Sequence, residues 1–244
     1  MSLTLFHVSD VHFGTEDRAA LAWFAAGVAS ERPDAVLLTG DLTAAARKSE
    51  YRDAEAWLAT LNAPVLVEPG NHDLPVYNPL ARLFAPFGRF NRLEAAIERE
   101  LRLPGVEVIP LRTAAQAQFR PNWSLGVVQP RSLNAALAVV AARPAGALTL
   151  ITCHHPLVDA AATATSGRTR GGAEALRRLA AAGADVVLSG HTHDPFDLIW
   201  NGGERPIRLI GAGTLSERLR NTRPSFNRLV VDGGNLSVVP VMMP

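Results

Sequence analysis

Five clusters of polar side chains in this chain contain the residue types that bind transition metals. Each cluster follows a short apolar run, and six of the seven histidines lie within the clusters. The clusters are Asp10-Val11-His12, Gly40-Asp41, Gly70-Asn71-His72-Asp73, His154-His155-Pro156 and Gly190-His191-Thr192-His193. Random placement would scatter histidines over helices and surface loops, so this concentration has a chemical cause. A metal site supplied by the ends of several strands is the simplest explanation.

The donor types narrow the choice of metal. Carboxylate, imidazole and amide donors without a thiolate suit Mn, Fe, Zn or Co, and they disfavour a structural zinc built on cysteines. The seven candidate donors are Asp10, His12, Asp41, Asn71, His154, His191 and His193. Seven donors are too many for one ion and about right for two ions that share a carboxylate. Two ions roughly 3.5–4 Å apart promote hydrolytic displacement at phosphorus, because they generate a hydroxide nucleophile and offset charge on the phosphoryl oxygens.

The apolar runs predict the strands that must position these donors. Five runs end directly before a cluster, at residues 3–8, 35–39, 65–68, 148–153 and 185–189. Apolar residues at helical spacing predict helices at 18–31 and 48–61 between the first three runs. Alternating strands and helices favour a parallel sheet with helices packed on it, and ligands bind outside the carboxyl ends of such strands. All five clusters are therefore expected to converge.

Two local features support this convergence. Asp10 and His12 are two residues apart, as are His191 and His193, so an extended backbone would point both members of each pair to the same side. A glycine also precedes three of the clusters, where the chain needs a sharp reversal or a close approach without a Cβ clash. These glycines are Gly40, Gly70 and Gly190.

The remaining pattern predicts one α/β domain over residues 1–244, with two packed β-sheets and flanking helices. Residues 75–126 are poorly patterned, with expected helices at 79–87 and 92–103 and short strands at 106–111 and 117–119, and we interpret this segment as a cap or insertion near the site. Helices are then expected at 133–142 and 173–182, with a flexible loop at 159–172. Strands at 196–200, 207–211, 226–231 and 236–241 complete the pattern, separated by glycine-rich turns.

Composition limits the classes of partner. The chain has 24 basic and 23 acidic residues, a balance that gives no long-range field for extended nucleic acid or an anionic membrane. The single cysteine, Cys153, excludes an internal disulfide and fits a reducing compartment. There is no signal-peptide pattern and no apolar stretch of about 20 residues that could span a bilayer. The expectation is a cytoplasmic protein without a membrane partner.

The ordered set of motifs closely resembles the calcineurin-like metallophosphoesterases, and its spacing resembles the bacterial branch that includes class III cyclic-nucleotide phosphodiesterases. The resemblance covers residues 6–231 and is weakest between residues 86 and 120. It implies a four-layer αββα fold in which a two-sheet β-sandwich is flanked by helices. One departure weakens the nucleotide assignment: Leu157 follows Pro156 where that branch often has a second proline, and residues 158–169 contain no aromatic side chain to stack on a base.

The resemblance also implies roles for individual residues. It assigns one metal to Asp10, His12, Asp41 and His193, and the other to Asp41, Asn71, His154 and His191, with Asp41 bridging. Manganese and iron are the expected metals, with zinc or cobalt as alternatives. His72 matches the family histidine that contacts the substrate phosphate and protonates the leaving oxygen. Asp73 is a candidate to orient that imidazole.

Other polar residues admit plainer interpretations. His7 is expected within the first strand, His155 behind a metal ligand, and Cys153 as an inert buried residue. Asp34 and Asp185 are expected to cap strand entries. For Trp123 and Phe119, core packing is favoured over a place at the pocket mouth. A substrate-phosphate clamp is one interpretation of four residues near the C-terminus, and solvated surface or a dimer contact is the other; they are Arg218, Arg220, Arg223 and Asn227.

The leading functional hypothesis is a hydrolase of small phosphodiesters, with a cyclic nucleotide as the first substrate suggested by the resemblance. A metal-bridging hydroxide would attack phosphorus in line while His72 assists the leaving group. Alternatives are a pyrophosphatase of the UDP-diacylglucosamine hydrolase type, whose members generally carry arginine where this chain has His72, and a broad phosphomono-, di- or triesterase. An inactive binding scaffold is disfavoured because every donor is intact. The absence of a basic stripe disfavours a nuclease. A homodimer is a weaker expectation from the resemblance.

Overall fold

The computed structural model describes residues 2–97, 101–116, 122, 124–159 and 169–244. Along the chain the elements are β1 (Leu3–Val8), α1 (Arg18–Glu31), β2 (Ala35–Leu38), α2 (Lys48–Thr60), β3 (Val65–Val67), α3 (Pro79–Phe84), α4 (Gly88–Ile97), β4 (Val106–Pro110), α5 (Pro130–Ala142), β5 (Leu148–Thr152), α6 (Gly172–Ala182), β6 (Val186–Ser189), β7 (Phe196–Trp200), β8 (Ile207–Gly211), β9 (Ser225–Asp232) and β10 (Asn235–Met242). Among the described residues, no helix is long and apolar enough to cross a bilayer.

The strands form two mixed five-stranded sheets. The first sheet has the order β10-β9-β1-β2-β3, and the second has the order β4-β5-β6-β8-β7. In the first sheet β1, β2 and β3 run parallel, whereas β9 and β10 are antiparallel to their neighbours. In the second sheet only β7 is antiparallel to its neighbour. The predicted α/β class with two sheets and flanking helices is confirmed.

Alternation along β1 shows how the layers pack. Leu5 points into the core between the two sheets, together with Leu150 of β5 and Leu188 of β6. Phe6 points the other way, into a separate core that contains Phe24 of α1. Helices α5 and α6 cover the outer face of the second sheet through a third core. The order of layers is therefore helix, sheet, sheet, helix, and the central strands are buried on both faces.

The predicted helix bounds agree best with the structure where a capping residue marks the end of the helix. Helix α1 occupies the predicted residues 18–31, and the Asp17 side chain accepts hydrogen bonds from its first turn. Helix α5 begins three residues earlier than predicted, because Pro130 occupies its first turn, where a missing N–H costs nothing.

The segment at residues 75–126 differs from its prediction. Helix α3 ends at Phe84 rather than at residue 87, because Pro86 disfavours helical backbone before it. The helix predicted at 92–103 is instead α4 at Gly88–Ile97, whose buried residues include Phe90 and Leu93. Strand β4 of this segment is an edge strand of the second sheet. The strand predicted at 117–119, and Trp123, lie outside the described residues.

Two aspartates join neighbouring strands where the strands begin. Asp34 Oδ2 accepts a hydrogen bond from the backbone N–H of Thr4 at 2.8 Å. Asp185 Oδ2 accepts one from the backbone N–H of Thr149 at 2.9 Å. The expectation that both residues cap strand entries is confirmed.

Glu68 is a buried acid that joins the carboxyl ends of β3 and β5. Its Oε1 accepts a hydrogen bond from Thr152 Oγ1 at 3.0 Å, and its side chain is 3% exposed. Burial raises the pKa of Glu68 to about 8. The folded protein therefore holds a proton on this carboxyl over a pH range in which the unfolded chain has lost it.

We expect this proton to make folding stability fall as the pH rises. The contribution of this proton to the free energy of unfolding is complete below pH 4.5, the ordinary pKa of glutamate, and is lost as the pH rises towards about 8. The shift corresponds to roughly 3–5 kcal/mol. Glu68→Gln keeps the acceptor for Thr152 and removes the charge. The variant should gain at least about 2 kcal/mol over wild type at pH 9, and this gain should shrink towards pH 5.

Urea unfolding at pH 5, 7 and 9 measures the difference. Glu55→Gln, a substitution on the exposed face of α2, is the matched control and should show no pH-dependent difference from wild type. A Glu68→Gln gain of equal size at all three pH values would contradict a titrating buried acid.

Candidate metal centre

The carboxyl ends of both sheets contribute to one site. Asp10, Asp41 and Asn71 follow β1, β2 and β3 of the first sheet, whereas His154 and His191 follow β5 and β6 of the second. The parallel strands of the first sheet are β1, β2 and β3, and the remaining donors come from the second sheet. The structure brings the predicted donors together where the carboxyl ends of the parallel strands of both sheets meet.

The first group of donors consists of Asp10, His12 and His193. Asp10 Oδ1 lies 3.1 Å from His193 Nε2 and 3.6 Å from His12 Nε2. The two imidazole Nε2 atoms lie 3.3 Å apart. All three residues are buried, so their donor atoms face a shared space and not solvent.

Asp41 links this group to a second one. Its Oδ2 lies 3.8 Å from His12 Nε2 on one side and 3.3 Å from His154 Nε2 on the other. Its Oδ1 accepts a hydrogen bond from the backbone N–H of His72 at 2.8 Å, which holds the carboxylate in this orientation. The His154 and His191 rings lie 5.2 Å apart between centroids. One aspartate thus faces donors of both groups.

Asn71 lies at the cavity edge of the second group. It lines the same cavity as Asp41 and His191. His155 Nε2 is 3.1 Å from Asn71 Oδ1 and 3.0 Å from the Ser124 carbonyl oxygen. His155 also meets the Thr113 hydroxyl through Nδ1 at 2.9 Å. His155 thus contacts Asn71, as expected of a residue behind a metal ligand, and a ring nitrogen of His155 also lies within 4.8 Å of ring nitrogens of His154 and His191.

The backbone of the donors is left-handed, which corrects the expected extended geometry. Asp10 and His12 have φ values of 55° and 51°, and His191 and His193 have 69° and 61°. Asp41 has a φ of 51°. Residues other than glycine rarely adopt this conformation, and each costs roughly 1–3 kcal/mol. Convergence of the paired donors therefore depends on strained turns that the surrounding structure holds in place.

Close packing explains the glycines that precede the clusters. A Cβ on Gly70 would lie 2.1 Å from Asp41 Oδ1, and one on Gly40 would lie 2.5 Å from His154 Nδ1. Gly40 also has a φ of +93°, which favours glycine. The predicted need for close approach without a Cβ is confirmed at both positions.

Buried polar atoms at the centre fit a cation. Asp10 Oδ1 and His154 Nε2 make no hydrogen bond within the described part of the chain, although both are buried. An unsatisfied buried polar atom costs about 1–3 kcal/mol, so natural proteins rarely leave two side by side. Both atoms point at other donor atoms, as the distances above show. Carboxylate oxygens and imidazole nitrogens that converge in this way fit transition-metal ions.

The pKa values of Asp10 and His154 also indicate a site that favours a cation beside its carboxylates. Burial opposes ionisation of Asp10, yet the neighbouring His193 and His12 hold the pKa of Asp10 well below its usual value. Burial disfavours a charged His154, yet the Asp41 carboxylate raises the pKa of His154 to about 9. Burial also disfavours a charged His193, yet the Asp10 carboxylate raises the pKa of His193, whereas burial lowers the pKa values of His12 and His191. A cation bound here would displace any proton from the ring nitrogen that binds it, because metal ligands must be deprotonated.

Backbone carbonyls orient the imidazoles. His154 Nδ1 donates to the Thr39 carbonyl at 2.8 Å, which turns its Nε2 toward Asp41. His193 Nδ1 donates to the Arg218 carbonyl at 2.5 Å. His72 Nδ1 donates to the Ala44 carbonyl at 2.6 Å, so its Nε2 faces the cavity. Such bonds select the tautomer of a ligand or catalytic histidine.

Asp73 does not orient His72, which corrects the predicted role. Its two carboxylate oxygens accept hydrogen bonds from the backbone N–H groups of Leu42, Thr43 and Gly70 and from the Thr43 hydroxyl, at 2.8–3.1 Å. These donors lie on the loops that carry Asp41 and Asn71. Asp73 therefore joins two loops of the site.

The cavity beside the donors has a volume of about 370 Å³. Arg218 and Arg220 line it together with Asn122 and Ser124, whereas Arg223 does not. Asn227 lies elsewhere, which excludes it as a substrate contact: it is 1% exposed and its amide donates to the Gly211 carbonyl at 2.9 Å. Of the four residues near the C-terminus, two thus reach the site.

His7 and Cys153 have the structural roles expected of them. His7 lies in β1, where its Nε2 is 3.0 Å from the Thr39 hydroxyl, and burial lowers its pKa to about 3. Burial raises the pKa of the Cys153 thiol well above its usual value, so this thiol stays protonated and inert.

The comparisons with known proteins agree with this geometry. The model of the calcineurin-like phosphoesterase family matches residues 3–195. Glycerophosphodiester phosphodiesterase GpdQ of Enterobacter lignolyticus (strain SCF1) is 33% identical over 82 residues, and the alignment covers 29% of this chain and only 30% of that enzyme.

Two solved structures illustrate the shared fold. A dimetal phosphatase from Danio rerio has a TM-score of 0.62 at 14% identity and covers 98% of both chains. The purple acid phosphatase PPD1 from yellow lupin seeds has a TM-score of 0.64 at 12% identity, covering 98% of this chain and 51% of the other. At such identities the likeness concerns the fold.

Fold and site together bring histidine and aspartate donors that can bind metal to the carboxyl ends of two sheets. The chain belongs to the calcineurin-like phosphoesterase family.

Proposed function

We propose that the protein is a two-metal phosphodiesterase. The observation that carries the proposal is the position of Asp41, whose Oδ2 faces His12 Nε2 at 3.8 Å and His154 Nε2 at 3.3 Å. One carboxylate between two groups of buried donors is the arrangement that a shared ligand requires. The alignment to a glycerophosphodiester phosphodiesterase supports the phosphodiester class.

Under this proposal each group holds one ion. Asp10, His12, Asp41 and His193 would bind the first, and Asp41, Asn71, His154 and His191 the second. Manganese or iron ions are the proposed metals, because they suit oxygen and imidazole donors without thiolate. The same donors also accept Zn²⁺ and Co²⁺, which are the alternatives. When bound, the ions supply a nucleophile derived from water at neutral pH and offset charge on the phosphoryl oxygens.

His72 supplies the proton for the leaving group in this proposal. Its Nδ1 is committed to the Ala44 carbonyl, so Nε2 is the atom that exchanges protons with the cavity. As the bond from phosphorus to the leaving oxygen breaks, protonated Nε2 donates to that oxygen and His72 becomes neutral. Arg218 Nη1 lies 3.2 Å from this Nε2, so a guanidinium stands beside the proposed proton donor.

Among substrates, small phosphodiesters, including 3′,5′-cyclic nucleotides, are the proposed class. A pyrophosphatase of the UDP-diacylglucosamine hydrolase type is a weaker candidate because His72 stands in place of that family's arginine. An inactive scaffold is disfavoured because the six histidine and aspartate candidates lie in groups that could hold a metal, and buried atoms of Asp10 and His154 lack hydrogen-bond partners among the described residues.

Substitution of His72 by alanine tests the proposal. We expect wild type loaded with Mn²⁺ to carry two ions per chain by elemental analysis and to hydrolyse bis(p-nitrophenyl) phosphate. His72→Ala should retain both ions and lose about 10²- to 10⁴-fold in kcat on a substrate with an alkoxide leaving group, such as cyclic AMP or glycerophosphocholine. The loss should be smaller on the nitrophenyl ester, because p-nitrophenolate departs without a proton.

Two outcomes would reject this mechanism. One is wild-type protein that binds no metal under these conditions. The other is a His72→Ala variant that hydrolyses the alkyl diester as fast as wild type.

A further inference from the structure

Two arginines stand on the loop between β8 and β9 and face the cavity. Arg218 Nη1 lies 3.2 Å from His72 Nε2 and 3.3 Å from His12 Nδ1. Arg220 lines the same cavity without a hydrogen bond to any described donor of the site. Among the described residues no ion pair joins either guanidinium to a carboxylate, although both arginines line the same cavity.

Asp194 holds this loop in place. Its Oδ1 accepts hydrogen bonds from the backbone N–H groups of Asn221 and Thr222 at 3.0 and 3.1 Å, and from the Thr222 hydroxyl at 3.0 Å. Its Oδ2 accepts from Asn221 Nδ2 at 2.6 Å. The Asp194 carboxylate is 8% exposed, so these are buried, charge-assisted bonds.

The loop is therefore bound to the metal-ligand segment at two points. Asp194 directly follows His193 in the chain, and the Arg218 carbonyl accepts the proton of His193 Nδ1. Arg218 is one of these points and Arg220 lies between it and Asn221, so the backbone that carries both arginines is fixed relative to the donors. An exposed arginine on a free loop loses side-chain entropy when it binds an anion, and a fixed backbone reduces that cost.

The charge of the site exceeds what a simple phosphodiester offsets. Two divalent cations with the carboxylates of Asp10 and Asp41 already leave a net positive centre that one phosphodiester anion and one water-derived anion balance. Arg218 and Arg220 add two further cations to this cavity, and among its described lining residues Asp41 is the one acid. Such an excess favours a substrate with more than one anionic group.

We propose that Arg220, with Arg218 beside it, binds a second phosphate group of the substrate, and that Asp194 positions this loop. The inference rests on the proposed phosphodiesterase function and specifies its substrate class. Arg218, next to His72, lies where it can contact the scissile phosphate. Arg220 is left to hold the additional phosphate, with the polar side chains of Asn122 and Ser124 on the same cavity wall.

A matched pair of substrates isolates the second phosphate. Thymidine 5′-(p-nitrophenyl phosphate) and its 3′-phosphorylated derivative share the scissile bond and the leaving group and differ by one phosphate. We expect wild type with Mn²⁺ to prefer the phosphorylated substrate by about 10- to 100-fold in kcat/KM, the range of a charge-assisted hydrogen bond. Arg220→Gln should reduce this ratio to near one, mainly through KM.

Two further variants sharpen the test. Asp194→Asn should reduce the same ratio, and a ratio does not change when part of the protein is merely unfolded. Arg223→Gln, an exposed neighbour outside the cavity, is the matched control and should keep the wild-type ratio. Titration calorimetry with inorganic pyrophosphate gives an independent readout, in which Arg220→Gln should weaken binding at least about tenfold.

The outcomes separate this inference from the proposed function. A wild type that hydrolyses both substrates equally and an Arg220→Gln variant that binds pyrophosphate as tightly as wild type would overturn the second-phosphate site alone. A wild type that hydrolyses neither substrate would reject the proposed function, and pyrophosphate binding would still report on Arg220.

Discussion

Replacing Asp41 by asparagine is expected to lower the bound metal from two ions per chain to one or none. The substitution removes the charge that faces both His12 and His154 but keeps the shape of the side chain. An ion that polarises a phosphoryl oxygen contributes several kcal/mol to the transition state, so kcat/KM on bis(p-nitrophenyl) phosphate should fall at least about a thousandfold.

Elemental analysis after gel filtration and steady-state kinetics with Mn²⁺ measure the two effects. Asp53→Asn, on the exposed face of α2, is the matched control and should keep both ions and full activity. An Asp41→Asn variant that retains two ions and a tenth of wild-type activity would show that Asp41 does not bridge.

Asp73→Asn is expected to have the largest effect on folding stability. The Asp73 carboxylate is 1% exposed and accepts four hydrogen bonds from the loops that carry Asp41 and Asn71. In asparagine an NH₂ group replaces one oxygen and faces N–H donors, so at least one buried bond becomes a repulsive contact. Loss of two bonds to a charged acceptor costs about 3–5 kcal/mol.

Urea unfolding of metal-free protein measures this cost without the stabilisation that bound ions would add. Asp232→Asn, exposed at the end of β9, should change the free energy of unfolding by less than about 0.5 kcal/mol. Since Asp73 joins both loops of the site, Asp73→Asn should also weaken Mn²⁺ binding. A variant as stable as wild type would mean that neighbouring groups replace the lost acceptor.

The two aspartates differ in what they do for the protein. Asp73 satisfies backbone donors and stabilises the fold. Asp41 has a left-handed backbone and lies among buried side chains in which Asp10 Oδ1 and His154 Nε2 lack hydrogen-bond partners within the described residues. The centre therefore costs stability in the absence of ions, and cations that bind only the folded state would offset that cost.

The sequence by itself indicated the candidate donors, because metal ligation requires particular side chains and these stand in short motifs at strand ends. It also determined the layered α/β fold, since apolar periodicity and capping residues such as Asp17 act over a few residues. The same patterns predicted close packing at Gly40 and Gly70.

Only the tertiary structure decided the roles of residues whose partners are distant in the chain. Asp73 binds the Asp41 loop 30 residues away, and Asp194 holds Asn221 at a separation of 27 residues. The chain pattern offered no signal for Asp194 beyond its place after His193. The burial of Asn227 and the place of Arg218 in the cavity could not be predicted for the same reason. Which side chains meet depends on how the two sheets pack, and that packing is set by contacts that local periodicity does not encode.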